Sequence, residues 1–219
     1  MLFSSLSACV QQPPAIDESM RRVDAQLPAD FAGSWQRNYA RDDDVNRALQ
    51  QAWYDLARAT PDRYDTTAGM AAPSQRDADA VVALARFTEL ITRSDDITIV
   101  QNDQEIRVER DDDFSLVCRF ENGMSQPVEN PGGAEICGWD GEDLVSQLTL
   151  ADGLTVLHRF TISADGNELR VVTTVSSPTS RVPFTLQRFF RKFERPQSKF
   201  HCVETLTMKR VCSTKAEDE

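Results

Sequence analysis

Three Asp-Gly dipeptides divide the second half of the chain at nearly regular intervals, at residues 140–141, 152–153 and 165–166. Asp-Gly supplies the positive φ angles that a tight hairpin turn requires. The segments that these turns separate, LVSQLTL, LTVLHRFTIS and ELRVVTTV, repeat the alternation of apolar and polar residues that marks half-buried strands. The spacing therefore predicts consecutive strands that pair antiparallel in chain order.

Strand patterns also precede and follow this meander. ITIVQNDQEIRVER alternates around an Asn102-Asp103 turn, and FSLVCRF, GSWQR and RVPFTLQRFFRKF supply further strands. About eight or nine such strands are enough to close a sheet into a barrel, which removes the exposed edges. The sequence thus predicts a mainly β protein, an antiparallel up-and-down β-barrel.

The segment from about residue 41 to about residue 94 interrupts the strands with the periodicity of two helices. A first apolar stripe follows the acidic run RDDD and ends before Pro61; its members are Val45, Leu49, Ala52, Trp53 and Leu56. A second helix is predicted from about Asp77 to Ile91. We expect this insertion after the first strand to lie against the barrel or to plug one of its mouths.

Within the insertion, Asp42, Asp44 and Asn46 resemble the first ligands of a calcium-binding loop. Arg47 and Trp53, however, occupy the positions at which such a loop requires Gly and a bidentate Glu. We therefore expect the acidic residues to cap the N-terminus of the first helix, where they complement its dipole.

The cysteines of the body of the chain suggest disulfides. There are four of them: Cys118, Cys137, Cys202 and Cys212. They form no C-x-x-C pair and only two histidines accompany them, so the sequence predicts no metal and no cofactor. An even number of cysteines suits an oxidising compartment. Among the three pairings that four cysteines allow, we expect the local ones, Cys118–Cys137 and Cys202–Cys212.

The N-terminal stretch ends in LSAC at Cys9, which resembles the lipobox of bacterial lipoproteins. We interpret residues 1–9 as a truncated lipoprotein signal and residues 10–30, which contain several prolines, as a linker. The resemblance implies that Cys9 is acylated and anchors the protein in the cell envelope, at the periplasmic side of the outer membrane. The alternative is an apolar N-terminus in which the match is accidental.

FAGSW, followed by a long meander and a closing strand that contains Arg, resembles the lipocalin and calycin group. The resemblance implies that Gly33 and Trp35 lie at the closed end of the barrel, with Arg188 across the indole ring; Arg191 is the competing choice. More broadly, the chain is similar to bacterial envelope lipoproteins of unassigned function. Residues 31–195 would form the lipocalin-like barrel domain, and residues 196–219 a disulfide-bonded C-terminal tail.

The charge of the chain is unevenly distributed. The formal net charge of −11 disfavours nucleic acid as a partner, yet residues 181–210 hold eight Lys and Arg against two Glu. FTLQRFFRKFERPQSKF reads as a closing strand or as an amphipathic membrane-surface helix, and we favour the strand. We call its cations Arg191, Lys192 and Arg195 the basic face.

His158 lies in register with Val156 and Phe160, so its strand should direct it inward, as a core histidine or a ligand-binding candidate. The chain has no nucleophile elbow, P-loop or zinc-protease motif, so we expect no enzyme. The first expectation for function is an envelope lipoprotein that binds an apolar ligand or lipid inside its barrel. The alternative is a packed barrel that docks an envelope protein through its basic face. The size of the interior cavity separates the two.

Overall fold

The computed structural model describes residues 28–59, 73–110, 113–122, 124–130 and 133–194, together with the backbone of residues 201–203 and 211–213. The two helices are α1 (Val45–Ala59) and α2 (Gln75–Ile91). The strands in chain order are β1 (Gly33–Arg37), β2 (Asp96–Gln101), β3 (Glu105–Arg110), β4 (Asp113–Glu121), β5 (Met124–Gln126), β6 (Val128–Asn130), β7 (Gly133–Asp140), β8 (Asp143–Leu150), β9 (Thr155–Ile162), β10 (Glu168–Ser176), β11 (Phe184–Phe193), β12 (His201–Val203) and β13 (Val211–Ser213). No helix in the described ranges is long and apolar enough to cross a membrane.

Eleven strands form one antiparallel sheet in the order β5-β4-β3-β2-β1-β11-β10-β9-β8-β7-β6. The predicted antiparallel meander is confirmed, and Gly141, Gly153 and Gly166 take positive φ angles of 64°, 83° and 70° at its turns. The expected number of eight or nine strands is wrong. The segments identified from the sequence leave out β5, β6 and β7; β5 and β6 have only three residues each, too few for an alternation to be recognised.

These two short strands bring the edges of the sheet together. Only Pro127 separates β5 from β6, so one bent segment pairs with β4 through its first half and with β7 through its second half. A disulfide between Cys118 of β4 and Cys137 of β7 joins the same two strands, with the Cα atoms 5.5 Å apart. The result is a nearly closed antiparallel β-barrel whose seam lies between β4 and β7.

The disulfide Cys118–Cys137 confirms one of the two predicted pairs. For the other pair, Cys202 and Cys212 are directly opposite each other in the register of β12 and β13. Their side chains lie outside the described residues, so that bond stays a prediction.

The interior of the barrel has three layers, which β10 shows most simply. Leu169 and Val171 belong to an apolar cluster at one end, where Phe31, Trp35 and Trp139 also lie. Thr173 follows on the same face, and Val175 belongs to a second apolar cluster. A polar layer therefore separates two apolar layers.

The helices cover the second apolar layer. Ala52 and Leu56 of α1, with Val81, Leu84 and Ala85 of α2, pack against inward-facing residues of β9, β10 and β11. Because those residues continue the interior face of the sheet, the helices plug one end of the barrel. This is one of the two placements that the sequence predicted for the insertion after the first strand.

The acidic run before α1 divides into two roles. Asp44 Oδ1 accepts a hydrogen bond from the Arg47 amide (2.8 Å), as a helix-capping residue does. Asp42 instead accepts from the Phe189 amide (2.9 Å) and pairs with Arg37 Nε (2.6 Å) in a nearly buried ion pair. The expectation that the whole run caps the helix is therefore corrected, since part of it continues the hydrogen bonding of β11 beyond the end of β1.

Candidate functional site

A small cavity lies in the polar layer of the barrel, and we call it the central cavity. Its volume is about 40 Å³. The lining residues are Ile91, Thr92, Ser94, Ile97, Val108, Arg110, Leu116, His158, Phe160, Val171, Thr173, Arg188 and Phe190. Ile91, Ser94 and Arg110 are half-buried and the others are buried, so the cavity comes nearest to solvent beside the C-terminal end of α2.

Arg188 is the most unusual residue of the cavity, because its charged side chain is only 4% exposed. One terminal nitrogen donates to the Asp43 carbonyl (3.0 Å), whereas Nε is buried and has no hydrogen-bond partner. Burial lowers the pKa of the guanidinium, and nearby Arg37 lowers it further. An arginine nevertheless keeps its charge in a protein, so a buried cation faces the cavity with one donor unused.

Arg110, the last residue of β3, brings a second guanidinium to the cavity. It donates to the Ile91 carbonyl at the end of α2 (3.3 Å). The lining residues include these two arginines and no Asp or Glu. The charge of the cavity wall is therefore positive, although the chain as a whole is acidic.

His158 points inward, as its register predicted, and it is 8% exposed. Its Nδ1 lies 2.9 Å from the Thr173 hydroxyl on the neighbouring strand. Burial lowers the pKa of His158 to about 3, and the positive charge of Arg110 adds to the effect. The imidazole is therefore neutral at physiological pH and contributes hydrogen bonding to the cavity wall, not charge.

Two more polar residues extend this layer towards the seam. Ser146 is the cross-strand neighbour of both His158 and Cys137, and its hydroxyl donates to Glu135 Oε1 (2.9 Å). Burial raises the pKa of Glu135 above its usual value. The serine hydroxyl is thus bonded to the carboxylate, while the imidazole is bonded to Thr173, so these groups do not form the ordered relay of a nucleophilic triad.

The closed end of the barrel has a cation over the indole ring, but the residue differs from the expected one. Trp35 is fully buried, and Lys192 Nζ lies 5.3 Å from the centroid of its ring. The register places Lys192 directly opposite Trp35, whereas Arg188 is four residues earlier in β11 and lines the central cavity. The predicted contact of Arg188 with Trp35 is therefore corrected to Lys192, and Arg191 does not take the place either.

Gly33 has a role in the same arrangement. Its φ angle of 138° is one that L side chains rarely adopt, and a Cβ at this position would meet Lys192 Cε at 2.8 Å. Glycine therefore lets the lysine stem pass over the strand to reach the ring of Trp35.

The basic face is only partly described. Arg191 and Lys192 are exposed at the end of β11, which forms the strand that we favoured for this segment. Arg195 and the acylation candidate Cys9 lie outside the described residues. Arg191 stands opposite Glu168 in the register with β10, and Glu168 is paired with Arg41. Lys192 is thus the described cation of this face that also covers the barrel end.

Fold and site together define a nearly closed, helix-plugged antiparallel β-barrel, compatible with a lipocalin-like fold, with a small positive cavity in its interior. Within the described residues, no group of three or more His, Cys, Asp or Glu is placed to hold a metal ion. Comparison with known protein families and with curated proteins finds no match for the chain.

Sequence reasoning singled out His158 and Arg188 but missed Arg110, Thr173 and Glu135. The missed residues share a signal with the two that were found: each is a polar residue at an inward position of an alternating strand. Arg110, for example, continues the inward series of Ile106 and Val108. A search for polar interruptions of the apolar face would have found all of them.

Proposed function

We propose that this protein is a non-enzymatic interaction module of the bacterial cell envelope, anchored through Cys9 at the periplasmic side of the outer membrane. Its barrel serves as a packed scaffold, and its basic face docks an envelope partner that carries carboxylates or phosphates.

The observation that carries this proposal is the size of the interior. Sites for lipids and drug-sized molecules have volumes of roughly 300–1,000 Å³, whereas the central cavity measures about 40 Å³. The apolar clusters fill the space on both sides of the cavity, and the two helices close one end. A barrel filled by its own side chains works through its surface.

The basic face is the best-supported surface for this role. Arg191 and Lys192 are exposed on a chain of net charge −11, so local charge concentrates where the barrel ends. Such a patch gives salt-dependent attraction to anionic groups, because exposed charges are screened within about 8 Å at physiological ionic strength.

The test is the sedimentation of purified protein with isolated envelopes at low and high salt. A variant with Arg191, Lys192 and Arg195 changed to Gln should lose salt-sensitive sedimentation. A matched variant changes three exposed cations of the two helices, Arg58, Arg76 and Arg86, to Gln and should retain it. Equal loss in both variants would show a response to total charge and would refute docking through the basic face.

Binding of an apolar ligand inside the barrel remains the second candidate, and the apolar part of the cavity wall favours it. At the end that the helices plug, a lipid would enter when the helices move away from β10 and β11, since they pack on the interior residues there. Native mass spectrometry of protein from its own host would distinguish the two candidates. Lipid retained by both the wild type and the Gln variant would support the binding of an apolar ligand inside the barrel.

A further inference from the structure

We propose that the central cavity is a binding site for a small carboxylate whose negative charge pairs with Arg188, with Arg110 on the same wall. The proposal is independent of the basic face, which lies at the end of β11 and does not line the cavity.

Arg188 has an unused hydrogen-bond donor in the central cavity. The side chain is 4% exposed, its Nε has no hydrogen-bond partner, and it forms no ion pair with a carboxylate of the described residues. A buried charge without an ion-pair partner is costly, so stable proteins almost always pair it. An anion in the cavity would supply the missing acceptor.

Two cationic side chains converge on the central cavity. Arg110 and Arg188 come from strands separated by β2 and β1 in the sheet, yet both line one cavity whose wall contains no acidic residue. The buried carboxyl of Glu135 already acts on Arg110, so Arg188 is the cation with which an anion in the cavity would pair, and Arg110 adds a second positive group to the wall. His158 is neutral, so it adds hydrogen bonding to the wall and no further charge.

The remaining wall decides the class of anion. Apolar side chains line most of the cavity, among them Ile97, Val108, Leu116 and Phe160. A doubly charged phosphate would leave charge against these residues, whereas a carboxylate places its charge on the guanidiniums and an alkyl group on the apolar wall. The planar guanidinium also matches the carboxylate in a bidentate geometry.

The volume limits the ligand to a few atoms. One water molecule needs roughly 10–15 Å³ measured in the same way, so about 40 Å³ holds a group of a few heavy atoms. The half-buried residues Ile91 and Ser94 mark the side from which it would enter. We therefore choose butyrate as the probe, because its carboxylate and the adjoining carbon match this volume and its outer carbons can extend towards Ile91 and Ser94; butyramide is its neutral analogue.

The experiment is a titration of the full chain with butyrate, butyramide or sodium chloride at constant ionic strength. The Arg Nε–H signals are followed by two-dimensional NMR, and the melting temperature is followed in parallel. We expect butyrate to shift the Arg188 Nε–H signal and to raise the melting temperature, and we expect no such response to butyramide or chloride.

Two variants test the location. Arg188→Met should weaken butyrate binding about tenfold or more, since it removes a charge-assisted hydrogen bond, and Val171→Phe should do the same by filling the cavity while it keeps the charge. Arg86→Met, at an exposed position of α2, should bind as the wild type does.

The wild-type titration alone can overturn the proposal, whatever the variants do. Equal responses to butyrate and butyramide would mean that charge is not recognised, and equal responses to butyrate and chloride would mean that no carboxylate is selected. Unchanged binding in a folded Arg188→Met variant would place the ligand elsewhere.

Discussion

Reduction of the Cys118–Cys137 disulfide should destabilise the barrel by about 3 kcal/mol. The bond closes a loop with a sequence separation of 19 residues, and the loop-entropy relation gives about this value at room temperature. For a chain of this size, each kcal/mol lowers the melting temperature by roughly 2–4 °C, so we expect a fall of about 6–12 °C. The loss of stability should be localised at the seam, because the bond joins β4 to β7 there.

The assay is urea unfolding of a Cys202→Ala/Cys212→Ala background, with and without reductant, followed by tryptophan fluorescence. The cysteines that remain in this background are Cys9, Cys118 and Cys137. Reduction keeps both sulfurs in the core, so no cavity term from a smaller side chain enters the comparison. The denaturant dependence should steepen, since the reduced unfolded chain exposes more surface.

Hydrogen exchange then locates the change. Amides of β5 and β6 should lose protection on reduction, whereas those of β9 and β10 should follow only the global stability. A loss of stability below about 1 kcal/mol would refute the loop-entropy estimate. Equal loss of protection in all four strands would refute the view that the disulfide holds the seam together.

Three further predictions concern charged and titratable groups. His158→Gln should flatten the dependence of the unfolding free energy on pH. A pKa of about 3 in the folded chain against about 6.5 in the unfolded chain destabilises the native state as the pH falls below 6.5, by up to about 1.4 kcal/mol per pH unit. Urea titrations of the variant from neutral to acid pH that run parallel to those of the wild type would contradict this. Lys192→Met should cost about 0.5–1 kcal/mol of stability and change tryptophan fluorescence by removing the cation over the indole ring, whereas Arg191→Met, the neighbouring control, should do neither. Asp42→Ala should cost about 3–5 kcal/mol in urea unfolding, because it leaves the nearly buried Arg37 without its carboxylate. Arg58→Ala breaks an exposed pair and should cost less than about 1 kcal/mol. Similar losses in the two variants would contradict the role of burial in the Arg37–Asp42 pair.

The sequence alone was sufficient for features whose cause is local. The Asp-Gly turns and the alternation between them predicted the meander, and the stripe from Val45 to Leu56 predicted α1. The inward direction of His158 followed from its place between Val156 and Phe160, because side chains alternate along a strand. The pairing of Cys118 with Cys137 also followed from nearness in the chain.

Only the tertiary structure decided which distant residues meet. Trp35 and Lys192 are neighbours because β1 pairs with β11 in one register, and a shift of that register would bring a different β11 side chain opposite the ring. Arg110 and Arg188 face one cavity because the curved sheet brings separate strands around it. Periodicity gives the face of each residue within its own strand, whereas register and cavity volume depend on the packing of the whole barrel at once.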